Sequence, residues 1–92
     1  VRSGKRRRSR LGQVADVLEA IESHEGAPAT RLASYANMAY DRLSSLLEVL
    51  EERGLVERLP GGGYRLTGRG RELLRELRRL RRVLDDFGLE LL

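Results

Sequence analysis

The stretch from Leu50 to Leu74 decides the fold: Leu50-Glu51-Glu52-Arg53-Gly54-Leu55-Val56-Glu57-Arg58-Leu59-Pro60-Gly61-Gly62-Gly63-Tyr64-Arg65-Leu66-Thr67-Gly68-Arg69-Gly70-Arg71-Glu72-Leu73-Leu74. It opens as the end of an amphipathic helix, because Leu43, Leu46, Leu47 and Leu50 lie on one stripe and Gly54 follows as a stop signal. Two short apolar-bearing runs, 55–59 and 64–67, then flank the turn cluster Pro60-Gly61-Gly62-Gly63, which reads as a β-hairpin. Thr67 stands where a helix cap belongs, and a long helix is expected from about Gly68.

Working back towards the N-terminus, Leu11, Val14, Ala15, Leu18 and Ile21 repeat at the spacing of one helical face, with Ser9 as N-cap and Gly26 and Pro28 as stops near His24. A second helix of about two turns fits Ala29 to Ala36, with Leu32, Ala33 and Ala36 facing inward, and a third fits Ala39 to Arg53. Helix, short helix, helix, hairpin, helix is the order of a winged helix-turn-helix. The expected class is therefore mainly α, with α+β character from the wing, and a long C-terminal coiled-coil helix. Three parts follow: a basic arm over 1–10 expected to be disordered, a winged-helix domain over 11–67, and a dimerisation helix over 68–92. The expected core is Leu18, Ile21, Leu32, Leu43, Leu46, Leu47, Leu50, Leu55 and Leu66.

Charge is distributed unevenly along the 92 residues. The net +4 divides into +6 over residues 1–10, −5 over 11–60 and +3 over 61–92. A cationic arm suits a polyanion, because each neutralised phosphate releases a condensed counterion whatever the base sequence. No apolar run approaches membrane-spanning length, no apolar segment near the N-terminus reads as a secretion signal, and there is no cysteine. A soluble intracellular protein, cytoplasmic and nucleoid-associated, is the expectation. Seventeen of the eighteen cationic residues are Arg, which weakly suggests GC-rich codons or a thermophilic source.

Thr30-Arg31-Leu32, Ala36-Asn37-Met38-Ala39-Tyr40, Leu50 to Val56 and Tyr64 to Leu74 together resemble the small archaeal winged-helix regulators and chromatin-associated DNA-binding proteins. In that family the C-terminal helix forms an antiparallel coiled-coil dimer. The resemblance covers about residues 11 to 87 and implies DNA binding with little or modest sequence preference.

For DNA contact the candidates are Lys5, Arg6, Arg7, Arg8 and Arg10 in the arm, Arg31 and Tyr40 beside the backbone, and Arg42, Ser44 and Ser45 near the start of the third helix. Arg42 can reach a guanine edge or a phosphate, and the serines are small enough to let a helix approach closely. Arg58 and Arg65 on the wing are expected to touch phosphate. Asp41, Glu48, Glu51 and Glu52 make the third helix acidic, which opposes a deep approach to DNA. Nothing here resembles an active site: His24 has no second histidine or cysteine with which to hold a metal, and Gly68-x-Gly70 lacks the lysine and spacing of a phosphate loop. No enzyme, cofactor, metal or small-molecule ligand is expected.

Leu73, Leu77, Leu80, Leu84, Phe87 and Leu91 recur at alternating steps of four and three, a heptad seam. A helix of this length should outrun so small a domain, so a partner chain is expected to cover the seam. Arg75, Arg78, Arg79, Arg81 and Arg82 precede Asp85, Asp86 and Glu90, so antiparallel pairing sets basic against acidic halves. The expected function is a dimeric double-stranded DNA-binding protein, either a transcription regulator or an architectural chromatin component. A protein-interaction scaffold subunit and an RNA-binding protein are the alternatives.

Overall fold

The computed structural model describes residues 9–89, so the arm residues Lys5, Arg6, Arg7 and Arg8, together with Leu91, lie outside the described residues. Six elements follow in order: α1 (Arg10–Ser23), α2 (Ala29–Tyr35), α3 (Tyr40–Glu52), β1 (Val56–Arg58), β2 (Tyr64–Leu66) and α4 (Gly68–Asp86). This is the winged helix-turn-helix order expected from the sequence.

Ser9 caps α1, its hydroxyl accepting the Gly12 N–H at 2.9 Å. Helix α1 therefore starts one residue earlier than expected and takes Arg10 out of the arm. It lies at the centre of the molecule, touched by α2, β2 and α4, and so buries more than one face. Gly12, Ala15, Val17, Leu18, Ala20 and Ile21 are all inside, while Leu11, expected on the inner stripe, is exposed. Between α2 and α3 the chain turns at Asn37, φ 56°, a left-handed conformation that Asn tolerates better than most residues. Leu43, Leu46, Leu47 and Leu50 bury the inner stripe of α3 as the pattern predicts.

The hairpin pairs antiparallel with Val56 opposite Leu66, Glu57 opposite Arg65 and Arg58 opposite Tyr64. Its second strand is stitched to the α1–α2 turn, where the Gly26 N–H donates to the Tyr64 carbonyl at 2.9 Å. Gly63 makes this approach geometrically open, since a Cβ there would lie 2.2 Å from the Gly26 oxygen.

Thr67 caps α4, accepting the Gly70 N–H at 3.0 Å and donating to the Gly54 carbonyl at 2.6 Å. Leu74 and Leu77 then enter the domain core, at 1% and 6% exposure, with Leu73 half-buried beside them. Leu77 was expected in an intermolecular seam; packing of α4 on α1 places it in the chain's own interior instead. That packing runs well past the first turn of α4. Arg78 donates to Glu19 at 2.8 and 2.9 Å and to Glu22 at 2.6 Å, and Arg81 lies 3.8 Å from Asp16. The first half of α4 is thus part of the winged-helix core. Its second half carries Leu80, Val83 and Phe87 exposed and Leu84 half-buried. Of the expected core, every residue is buried except Leu55, which is half-buried, and Val17, Val56 and Leu74 join it.

Candidate nucleic-acid interface

The α2–α3 pair presents a small exposed surface built by the helix-turn-helix. Arg31 projects from the first turn of α2, and Tyr40, Arg42 and Ser45 from the first two turns of α3. Tyr40 is 50% exposed, so its ring is not packed between the two helices. Ser44 is half-buried and stands back from this surface, while Ser45 is fully on it. Ala39, the N-cap of α3, has no side chain to satisfy the first amides, leaving them for solvent or an incoming oxygen. Among the described residues neither Arg31 nor Arg42 has a carboxylate partner.

The two wing arginines are in a different state. Arg65 donates to Glu57 across the hairpin, and that bond holds its guanidinium even more firmly protonated than usual. Arg58 lies 3.6 Å from Glu51 at the end of α3, with its guanidinium 5.4 Å from the centre of the Tyr64 ring. Both were expected to touch phosphate, and in the folded chain each already has a carboxylate beside it. The Glu57–Arg65 pair is latent in the hairpin's symmetry about Gly61, since positions 57 and 65 are equidistant from it. The Arg58–Glu51 contact has no local signature, because it requires the angle between α3 and the wing. Asp41, Glu48 and Glu52 remain exposed on α3.

Arg10 is exposed at the start of α1, continuing the arm onto the folded domain. His24 is exposed and stacks on Tyr35 with ring centroids 3.7 Å apart and planes 12° from parallel, a contact the sequence did not announce. Beneath α3, a groove of about 530 Å³ is lined by Arg53 and Leu55 on one side and Arg69, Glu72, Leu73 and Glu76 of α4 on the other. Among the described residues no cluster of His, Cys, Asp and Glu is grouped to hold a metal, and no helix is long and apolar enough to cross a membrane.

The profile of the winged helix-turn-helix family matches residues 7–85. This chain belongs to that family. Solved winged-helix structures agree. A MarR family protein of Mycobacterium tuberculosis superposes with a TM-score of 0.74 at 26% identity, over 83% of this chain and 57% of that one. A MarR family transcriptional regulator of Silicibacter pomeroyi gives 0.70 at 28%, over 84% and 57%. A Listeria innocua protein of unknown function gives 0.67 at 26%, over 73% and 50%. The chain thus spans little more than half the length of these relatives. The mycobacterial protein is also similar in its complex with salicylic acid, at 25% identity and a TM-score of 0.68, over 80% of this chain and 59% of that one. Among curated proteins none matches significantly. The chain therefore has the winged-helix fold of DNA-binding transcription regulators.

Proposed function

We propose that this protein is a double-stranded DNA-binding regulator that acts as a homodimer, with the start of α3 in the major groove and the arm and wing on phosphates. The observation that carries this reading is the placement of Arg31 and Arg42. They are exposed on the helix-turn-helix and unpaired among the described residues, where a guanidinium can meet phosphate or a guanine edge without first giving up a carboxylate. Dimerisation is supported by the exposed Leu80, Val83 and Phe87 on the outer half of α4, an apolar surface that a single chain leaves in water.

Several features weaken base readout. Asp41, Glu48, Glu51 and Glu52 face outward from α3, and Arg58 and Arg65 hold internal partners. These features favour modest sequence preference and lend weight to a second reading, an architectural role in which most affinity is sequence-blind. Gel shifts with duplex DNA, single-stranded DNA and RNA across a salt series test the proposal. Duplex DNA is expected to bind best, with log affinity falling linearly with log salt at a slope of about −0.9 per phosphate contact. Preference for RNA or single strands, or binding indifferent to salt, overturns it. A duplex library then separates the readings: a clear sequence motif favours a regulator, and near-equal binding favours an architectural protein.

A further inference from the structure

We propose that the groove between Arg53–Leu55 and the first turns of α4 is the seat for Phe87 of a second copy of this chain, which sets the two helices antiparallel with their two-fold axis close to Leu80. This inference rests on the homodimer reading and adds to it a receptor, an anchor and a register.

The anchor is defined by exposure and order. Phe87 is 75% exposed, the most exposed of the large apolar side chains described. Its backbone is fixed at the C-cap of α4, where its N–H donates to the carbonyls of Val83 and Leu84 at 3.3 and 3.1 Å. A solvated phenyl ring is the kind of side chain that dominates interfaces when it finds a pocket. The groove supplies one, with Leu55 and Leu73 as apolar wall and Arg53 and Arg69 at its edges.

Register follows from position along α4. Leu73 and Phe87 lie seven residues on either side of Leu80, so seating Phe87 of one copy beside Leu73 of the other brings the two Leu80 side chains together. Val83 and the half-buried Leu84 fall within the same strip. Charge selects the same direction. The central cations Arg78, Arg79 and Arg81 are already matched by Glu19 and Glu22, Glu76 and Asp16 respectively. On α4 and around the groove, what remains without an ion-pair partner among the described residues is a basic start, Arg53, Arg69, Arg71 and Arg75 around the single acid Glu72, and an end where Asp85 and Asp86 outnumber Arg82. Antiparallel packing lays the acidic end against the basic start, whereas parallel packing sets like against like.

The seat also has a mechanical meaning. Leu55 joins α3 to β1; its N–H donates to the Leu50 carbonyl at 2.9 Å and its carbonyl accepts the Thr67 N–H at 3.1 Å. A ring from the second copy packed on Leu55 therefore bears on the joint that carries both α3 and the wing, fixing how far apart the two recognition helices sit.

The chain has no cysteine, so single-cysteine variants report the register directly. Sedimentation equilibrium comes first: a protein that stays monomeric at micromolar concentration removes the homodimer and the seat together. If it is dimeric, Leu80→Cys is expected to form an interchain disulfide readily under mild oxidation. Leu73→Cys and Phe87→Cys alone should not, because like positions would then lie about 20 Å apart along the axis. A mixture of Leu73→Cys and Phe87→Cys chains should cross-link between unlike chains. Phe87→Ala should weaken dimerisation on the order of a hundredfold, about tenfold for each of the two anchors. A dimer in which Phe87→Cys self-cross-links as fast as Leu80→Cys is parallel, and one whose Leu80→Cys chains do not cross-link has its interface elsewhere; either result overturns the seat while leaving the dimer intact. Occupation of the groove by an aromatic acid such as salicylate, in a protein whose unlike-chain mixture fails to cross-link, gives the groove to a small molecule and also overturns it.

Discussion

Arg31 and Arg42 differ from the wing arginines Arg58 and Arg65 in having no carboxylate to leave among the described residues. Replacing Arg31 by Ala is expected to lower duplex affinity by a similar factor on every sequence, the mark of a phosphate contact. Replacing Arg42 by Ala should instead change the ranking of sequences, as measured by competition gel shifts; a uniform loss would move Arg42 to the phosphate class. At the other side of the molecule, Arg78 holds Glu19 below the usual carboxylate range, chiefly by direct hydrogen bonding. A carboxylate depressed in the folded state contributes stability above its unfolded pKa and loses it as pH falls through the folded value. Arg78→Met should therefore lower Tm at neutral pH, by an amount worth no more than about 1 kcal/mol because the pair is partly exposed, and the deficit should shrink in acid. Thermal melts of both proteins at pH 7 and pH 3 check the sign; an equal deficit at both pH values would assign the loss to packing of the arginine stem.

Helix α4 makes its tightest backbone approach to the domain at one glycine. A Cβ at Gly70 would lie 2.0 Å from the Leu55 carbonyl oxygen, and backbone cannot swing aside as a flexible side chain can. Gly70→Ala is therefore expected to destabilise the fold by roughly 2 kcal/mol or more, despite the better helix propensity of Ala. A denaturation midpoint equal to wild type would mean that α4 can slide along α1 at little cost. The element as a whole has two jobs, divided near Leu77: its first half completes the core, and its second half holds the exposed apolar strip. A heptad pattern alone makes no such division, because the same leucine spacing serves an intramolecular face and an intermolecular one.

For the whole molecule, the proposed dimer is the property that decides most. A Leu buried at an interface contributes about 1.5–3 kcal/mol, and Leu80 and Leu84 each enter twice in a symmetric pair. Leu80→Asp with Leu84→Asp should give a monomer that keeps its winged-helix core, since Leu80 is exposed and Leu84 only half-buried in the single chain. DNA affinity should then fall steeply, because two linked sites gain an effective concentration that one site lacks. Sedimentation equilibrium and circular dichroism on the double variant test this: persistence of a dimer places the interface away from α4.

The winged-helix order, both side-chain caps at Ser9 and Thr67, and the inner stripe of α3 were legible in the sequence, because each depends on spacing within one element or on a turn of a few residues. The hairpin was legible for the same reason, while its register, centred on Gly61, came with the structure. Three matters belonged to the tertiary structure alone. Val17 is buried only because α1 is surrounded on several sides, and an amphipathic pattern describes one side. Leu77 belongs to the core only because α4 docks along α1. The charges of the expected interface are likewise set by neighbours distant in the chain, with Glu51 taking Arg58 and Glu19, Glu22 and Asp16 taking Arg78 and Arg81. Sequence counts these arginines as free cations by segment, but a charge acts through what lies within a few ångströms of it. Only the packing of α1 against α4, and of the wing against α3, decides which of them remain to meet DNA.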